Sequence, residues 1–199
     1  AADNAMTFQT IVKTVARRNG LYADFTAKPL ENKPGNGFHI NMSVKAADGS
    51  ENLCYMIAGI LDKAEDMTAF LNPTENSYKR FGKCKAPGYI SWSDENRSQL
   101  VRIPAAVGEY RRAELRSPDP TANPYLAFTL MIYAGLYGIQ NKLSLPEPAN
   151  INLYKADART LTKFRKLPYD LQTACRIASE SEFIRTHVPA SVLDIYCNK

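Results

Sequence analysis

The chain has 199 residues, 45% of them hydrophobic and 23% charged, with a formal net charge of +5. That is enough for one domain with a real core, burying roughly 70% of the unfolded surface, and the composition is that of an ordinary globular protein. The positive excess is modest and contains no run of five or more like charges, so nucleic-acid or membrane-surface binding has little support; a phosphate-bearing small molecule would account for clustered arginines equally well.

In chain order, the sequence predicts an opening helix capped by Asp3, with Phe8, Ile11, Val12 and Val15 at helical spacing and Asn19-Gly20 at its end. LYADFTAK (21–28) alternates as a strand does, and PLENKPGN (29–36) is a loop. GFHINMSV (37–44) is the cleanest strand: Phe38, Ile40, Met42 and Val44 share one side, His39, Asn41 and Ser43 the other. A helix is expected from about Glu51 to Ala64 and a second over 65–71, then a long polar loop over 72–88. GYISWS, SQLVRIP and 109–116 read as strands, with DENR between the first two. After Pro118-Asp119-Pro120 comes a strongly apolar helix from about Ala122 to Lys142, then short helices near 156–163, 168–178, 180–186 and 190–196. Strands early and helices late, with hairpin-like strand spacing, predict an α+β fold: an antiparallel sheet with helices packed on one face and a helical C-terminus. The run LAFTLMIYAGLYGI is too short and too interrupted to span a bilayer. Cys54, Cys84, Cys175 and Cys197 form no CxxC pair or zinc spacing. With no signal peptide in the sequence, free thiols in a reducing cytoplasm are expected.

Three predicted strands each carry one polar side. The first offers His39, Asn41 and Ser43; the second has Arg97 just before it and Arg102 near its end; the third offers Arg112, Glu114 and Arg116. A divalent cation accepts an imidazole and a carboxylate, and the arginine fork binds phosphate or carboxylate in a bidentate manner. A lone R-x-E-x-R strand is most often a solvated face with cross-strand ion pairs. Repetition on neighbouring strands favours a joint metal, nucleotide and carboxylate site.

Several long motifs in one order then carry a family resemblance: KPLENKPGNGFHINMS (28–43), NPTENSYKR (72–80), NRSQLVRIP (96–104) and RRAELRSPDPTANPYLAF (111–128), together with ADNAMTFQTIVKTVARRNGL and IYAGLYGIQNKL. From Ala1 to about Tyr196 the chain resembles the C-terminal part of the catalytic domain of glutamine synthetase, bacterial type. The resemblance implies an ATP-dependent ligase that joins ammonia to L-glutamate, using divalent Mg2+ or Mn2+. The γ-carboxylate is phosphorylated first, and ammonia then attacks the acyl phosphate. By motif match, His39 and Glu114 would be metal ligands, and Asn41 and Ser43 nucleotide contacts. Gly35, Arg80 and Arg116 would contact glutamate. Arg102 and Arg112 would contact phosphate, as would Arg97, which would also reach glutamate and take part in the chemistry. The resemblance further implies a cytoplasmic parent that is a homo-oligomer of the dodecamer type.

The chain departs from the family in several places. The N-terminal β-grasp domain and the first half of the catalytic domain are absent, and with them the remaining metal-binding glutamates, so this chain alone is expected to be inactive, to present unpaired strand edges and to associate. In the family a flap glutamate precedes Ala-Pro; here RFGKCKAPG puts Lys85 there, where a cation would repel ammonium. Lys83 and Cys84 beside it do not restore the acid, and Cys84 reads as a loop thiol. Pro34 stands where asparagine is frequent, and VGEYRR (107–112) has no match to an ATP-contacting lysine of the family. Tyr154, in NLYK, falls where some members are adenylylated, with different flanking residues; His187 reads as a surface residue. The alternative reading is a glutamine-synthetase-like binding or regulatory protein, or a ligase for a larger amine.

Overall fold

In the computed structural model, residues 1–82, 86–94, 96–105 and 111–197 are described. The order of elements is α1 (Ala2–Arg18), β1 (Ile40–Met42), α2 (Leu53–Asp62), α3 (Ala64–Leu71), α4 (Glu75–Tyr78), β2 (Trp92–Ser93), β3 (Val101–Arg102), β4 (Ala113–Leu115), α5 (Pro124–Gln140), α6 (Ala158–Leu161), α7 (Leu171–Glu180), α8 (Glu182–His187) and α9 (Ala190–Cys197). The fold is α+β, as the order of the patterns predicts.

The helices begin where their caps allow. Asn123 accepts hydrogen bonds from the backbone of Tyr125 and Leu126, and Pro124 fills the first helical position of α5, where a missing N–H costs nothing. Asp170 caps α7 and Ser181 caps α8 in the same way. Thr74 and Ser77 form a reciprocal capping box on α4, inside the segment expected to be loop. α2 and α5 cross at closest approach through Gly59 and Gly138. A Cβ on Gly59 would sit 2.1 Å from the Ala134 carbonyl oxygen, so only glycine permits this crossing.

The four strands lie in the order β1-β4-β3-β2. β1 runs antiparallel to β4 with Ile40 opposite Leu115, and β3 runs antiparallel to β4 with Val101 also opposite Leu115. One cluster joins Ile40, Leu115 and Val101 of the sheet to Ile57, Ile60, Phe70, Leu130 and Met131 of the helices. The apolar side of the sheet therefore faces helices, and its other side is left for polar residues.

The structure corrects four details. First, the sheet is mixed rather than wholly antiparallel, because β2 and β3 pair in parallel. The connection is not a tight DENR hairpin. The Asn96 N–H donates to Ser93 Oγ, the Ser98 N–H to Asn96 Oδ1, and buried Gln99 donates to the carbonyls of Ala149 and Ile151. These bonds carry the chain round until it runs in its original direction. Second, 88–90 pairs not with the sheet but with 165–167, through Ile90 N to Arg165 O and Leu167 N to Gly88 O. Third, residues 21–28 form no strand. Their last residue bonds to α4, with Lys28 N donating to Asn76 Oδ1 and Asn76 Nδ2 to the Lys28 carbonyl. Fourth, α1 is amphipathic but not buried: Phe8 is 62% and Ile11 56% exposed, and no residue of α1 is buried. Asp3 makes no capping bond. It accepts instead from the Tyr125 hydroxyl, and Gln9 donates to the Pro120 carbonyl, so α1 is tied on through its polar residues.

Candidate active site

The alternation expected for 37–44 holds. Ile40 is in the core, Phe38, Met42 and Val44 pack against it, and His39, Asn41 and Ser43 are turned to the outer side. In β4, Ala113 and Leu115 enter the core while Glu114 takes the polar side. The register then builds a row across three strands: Asn41 stands opposite Glu114, and Glu114 opposite Arg102. Directly opposed side chains of opposite charge attract. The sheet thus gathers residues that are distant in sequence beside the arginine that follows Leu115.

Glu114 is the centre of this group and is only 9% exposed. Its Oε1 accepts from Arg116 Nη1 at 2.9 Å and lies 3.0 Å from His39 Nδ1; its Oε2 lies 3.5 Å from Arg102 Nη1. Arg112 Nε donates to Asn41 Oδ1 at 3.2 Å. Burial, then the nearby charge of Arg116, holds the His39 imidazole below its usual value of 6.5, against the opposing pull of Glu114. His39 is therefore neutral at pH 7, the form in which an imidazole ligates a metal.

Arg80 forms the second part of the site. It is 3% exposed, and burial lowers its pKa while Asp119 opposes the shift. Its Nη1 donates to the Ser117 carbonyl at 3.0 Å and lies 3.7 Å from Asp119 Oδ2. The loop before β1 lies directly over it. A Cβ on Gly35 would come within 2.8 Å of Arg80 Cγ and 2.5 Å of the Ala27 carbonyl oxygen, and one on Gly37 within 2.9 Å of His39 Nε2. Gly35 is thus required by close approach to backbone, whereas a side chain at Gly37 would push the His39 imidazole aside. Arg80 Nε is buried and has no hydrogen-bond partner among the described residues, and the same is true of Arg102 Nε. Buried donors of this kind cost free energy until an acceptor arrives.

Of the residues singled out from sequence, His39, Asn41, Arg102, Arg112, Glu114 and Arg116 are linked in one group, and Gly35 packs on Arg80 beside it. Ser43 is exposed and lines an adjoining groove of about 640 Å³ with Lys45, Glu51 and Arg111. Arg97 is exposed in the turn before β3, with no hydrogen bond or ion pair to the Glu114 group among the described residues. Lys83, Cys84 and Lys85, and residues 107–110 of VGEYRR, lie outside the described residues. Cys54, Cys175 and Cys197 are thiols rather than disulfides. Tyr154 is half-buried with its hydroxyl atom buried, not the exposed loop tyrosine that its sequence neighbourhood suggests. His187 is half-buried and stacks on Tyr133, with ring centroids 3.9 Å apart.

Sequence reasoning missed Asn72 and Asp119, both fully buried. Asn72 Nδ2 donates to Asp119 Oδ2 and to the Ser117 carbonyl, each at 2.9 Å. Neither residue lies on a periodic face, and the contact joins positions 47 apart, so no local pattern announced it.

Among the described residues no group of three or more His, Cys, Asp or Glu side chains could hold a metal ion. His39 and Glu114 are a nitrogen and a carboxylate in contact, which is part of a ligand set. Magnesium is commonly held by one or two carboxylates together with phosphates and water, and the two residues fit that partial role.

A sheet whose polar side gathers arginines around one buried carboxylate has the donors and positive charge that suit phosphate or carboxylate groups. Comparison with known proteins makes this specific. The family model described as "Glutamine synthetase, catalytic domain" matches residues 1–199. A glutamine synthetase of Methanosarcina mazei is 42% identical over 98% of this chain and 47% of its own length. One of Staphylococcus aureus (strain MW2) is 40% identical over 100% of this chain and 48% of its own. A solved structure described as "GmaS/ADP complex-Conformation 1" superposes with a TM-score of 0.86 at 31% identity, covering 98% of this chain and 49% of that one. The chain belongs to the glutamine synthetase family and falls within its catalytic domain. It spans about half the length of the curated relatives it matches.

Proposed function

We propose that this chain is the C-terminal portion of the catalytic domain of an ATP-dependent glutamate–ammonia ligase, and that in isolation it does not turn over. The observation that carries the reading is Glu114, buried between His39, Arg102 and Arg116, in a chain about 40% identical to glutamine synthetases over its full length. Formation of glutamine from glutamate needs the γ-carboxylate oxygen to attack the terminal phosphate of ATP with loss of ADP. The ammonia nitrogen then attacks the acyl carbon and expels inorganic phosphate. Both steps develop negative charge on phosphate oxygens.

In this reading Arg102, Arg112 and Arg97 contact that phosphate, and fixed guanidiniums stabilise the developing charge with little reorganisation. Arg80 and Arg116, held rigid by burial, orient the glutamate carboxylates beneath the Gly35–Gly37 loop. Asn41 and Ser43 contact the nucleotide; the ADP named for the GmaS neighbour supports a nucleotide at this fold's site. His39 and Glu114 would hold a divalent cation. When bound, that ion would supply charge neutralisation at the phosphates. Two ligands make an incomplete site, which is the reason for expecting inactivity of this chain alone.

Lys85, at the family's flap-glutamate position, favours a second reading: a ligase for a larger amine, or a binding protein without ammonia chemistry. Both readings are tested on the natural product. Its intact mass is measured first, and ADP release is then followed with glutamate plus ammonia, and with glutamate plus a small primary amine. The expected result is a polypeptide about twice this length with glutamate- and ammonia-dependent turnover, and none from the 199-residue chain. Amine-only turnover selects the larger-amine reading. No glutamate-dependent turnover by the natural product refutes the ligase assignment.

A further inference from the structure

The geometry points to Asp119 and Asn72 as positioning residues: together with the Ser117 carbonyl they form a buried clamp that fixes the Arg80 guanidinium under the Gly35–Gly37 loop. The inference rests on the proposed ligase reading for what Arg80 contacts, but not for the clamp itself.

The clamp is fully buried, and one acceptor in it, Asn72 Oδ1, has no hydrogen-bond partner among the described residues. Asp119 is 0% exposed and both of its oxygens are engaged. Oδ1 takes the Thr121 N–H at 2.9 Å and the Thr121 hydroxyl. Oδ2 takes Asn72 Nδ2 and faces Arg80 Nη1. Asn72 is likewise 0% exposed, and its amide is shared between Asp119 and Ser117. The backbone around the clamp is tied to both neighbours of the site. Asp119 N donates to the Leu71 carbonyl at the end of α3, and Phe38 N donates to the Pro118 carbonyl beside His39. The Pro118–Asp119–Pro120 turn therefore connects the arginine to the strand that carries the imidazole.

The distances assign the parts of the clamp different tasks. The hydrogen bond from Arg80 goes to a neutral carbonyl at 3.0 Å, while the carboxylate stays at 3.7 Å. Asp119 thus supplies the charge that lets a guanidinium be buried, and Ser117 supplies the direction. Asn72 keeps Asp119 Oδ2 from moving in to take more of the fork. One edge of Arg80 is anchored, and Nε, buried without a partner among the described residues, keeps its donor uncommitted.

Asp119→Asn separates this task from local structure. Asparagine retains an oxygen for the Thr121 turn, but it removes the charge and turns an N–H2 toward Asn72 and Arg80, donor against donor. In isotope-labelled 199-residue chain, the Arg80 side-chain N–H signals are identified by their loss in Arg80→Lys. In the native chain the two Nη groups are expected to give separate, slowly exchanging resonances under conditions where exposed Arg176 gives averaged ones. In Asp119→Asn they are expected to collapse toward the averaged pattern, and in Asn72→Ala to broaden, while the backbone amide spectrum stays native. A merely structural role would not move this signature in a variant that remains folded. Averaged Nη signals in the native chain overturn the proposal whether or not any variant folds. Unchanged, separate signals in folded Asp119→Asn or Asn72→Ala overturn it as well. Adding L-glutamate tests the other premise independently: a rigid Arg80 that does not respond to glutamate leaves the clamp standing and counts against Arg80 as a substrate contact.

Discussion

Replacing Glu114 by glutamine removes one negative charge from the most crowded electrostatic position in the chain while keeping its volume. The carboxylate is 9% exposed and compensates Arg116, whose side chain is 5% exposed, and Arg102, at 21%. The substituted amide would keep one acceptor and present an N–H2 to a donor, whichever way it is turned, because both carboxylate oxygens now face N–H groups. Breaking a buried ion pair by removing one partner costs about 3–5 kcal/mol, since the other charge is left uncompensated. The cost falls at the lower end here, because Arg102 retains access to water and His39 is neutral and loses a hydrogen bond only. We expect a loss of about 3 kcal/mol.

The chain's single tryptophan, Trp92, sits on the strand next to Arg102's and reports unfolding directly. With a urea m value of about 2–3 kcal/mol/M, the midpoint should fall by about 1–1.5 M. Arg176→Gln serves as the comparison. It breaks an ion pair exposed by 61% and 66%, for which a loss of about 0.5 kcal/mol or less is expected. If Glu114→Gln costs no more than Arg176→Gln, or raises stability, then Arg102 and Arg116 do not depend on Glu114 for compensation and the electrostatic account of the site is wrong.

Gly59→Ala should cost about 3 kcal/mol despite the roughly 1 kcal/mol gained in helix propensity, because its Cβ meets backbone atoms at 2.1–2.8 Å. Gly135→Ala, whose Cβ meets only the flexible Met56 side chain, should stay within about 1 kcal/mol of wild type in the same urea titration. The depressed His39 pKa means that the unfolded chain binds a proton more readily than the folded one. Stability should therefore decline as pH falls below about 6.5, and His39→Gln should flatten that slope relative to wild type in urea midpoints taken across the window. Asn123→Ala removes the cap from α5 and should lower stability by about 1 kcal/mol in thermal or urea unfolding.

Those parts of the fold governed by short-range patterns were legible in the sequence. Period-2 alternation placed His39 and Asn41 opposite the core side of β1, and apolar helical runs located α2, α3 and α5. What escaped was decided at long range. The parallel pairing of β2 with β3 depends on Gln99 reaching carbonyls some 50 residues away, which no alternation encodes. The stripe on α1 is truly amphipathic, but periodicity marks which side of a helix is apolar and not whether anything covers it. Residues 21–28 alternate correctly and still lack a sheet partner, because an extended segment is completed by whatever backbone or amide is nearest, here Asn76. The site divided along the same line. Glu114 and its arginines were visible because strand geometry sorted them, whereas Asn72 and Asp119 sit in turns and are significant only through each other.

The arrangement around Arg80 illustrates how a buried cation can be both compensated and available. A guanidinium in a short bidentate pair with a carboxylate has its charge balanced and its donors occupied together. At Arg80 the two functions are separated: charge comes from Asp119 at 3.7 Å, while the hydrogen bond at 3.0 Å goes to a neutral carbonyl. Desolvation is offset in the resting chain without consuming the whole fork, so an arriving anion gains hydrogen bonds and breaks none of those holding the arginine. Glu114 works differently. It accepts directly from Arg116 at 2.9 Å, so an anion approaching that arginine competes with an existing partner. A cation bound at His39 and Glu114 would relieve this competition by drawing the carboxylate toward itself. Under the proposed reading, an anion would meet Arg80 with its carboxylate partner held off at 3.7 Å, whereas at Arg116 it would share the guanidinium with Glu114 at 2.9 Å.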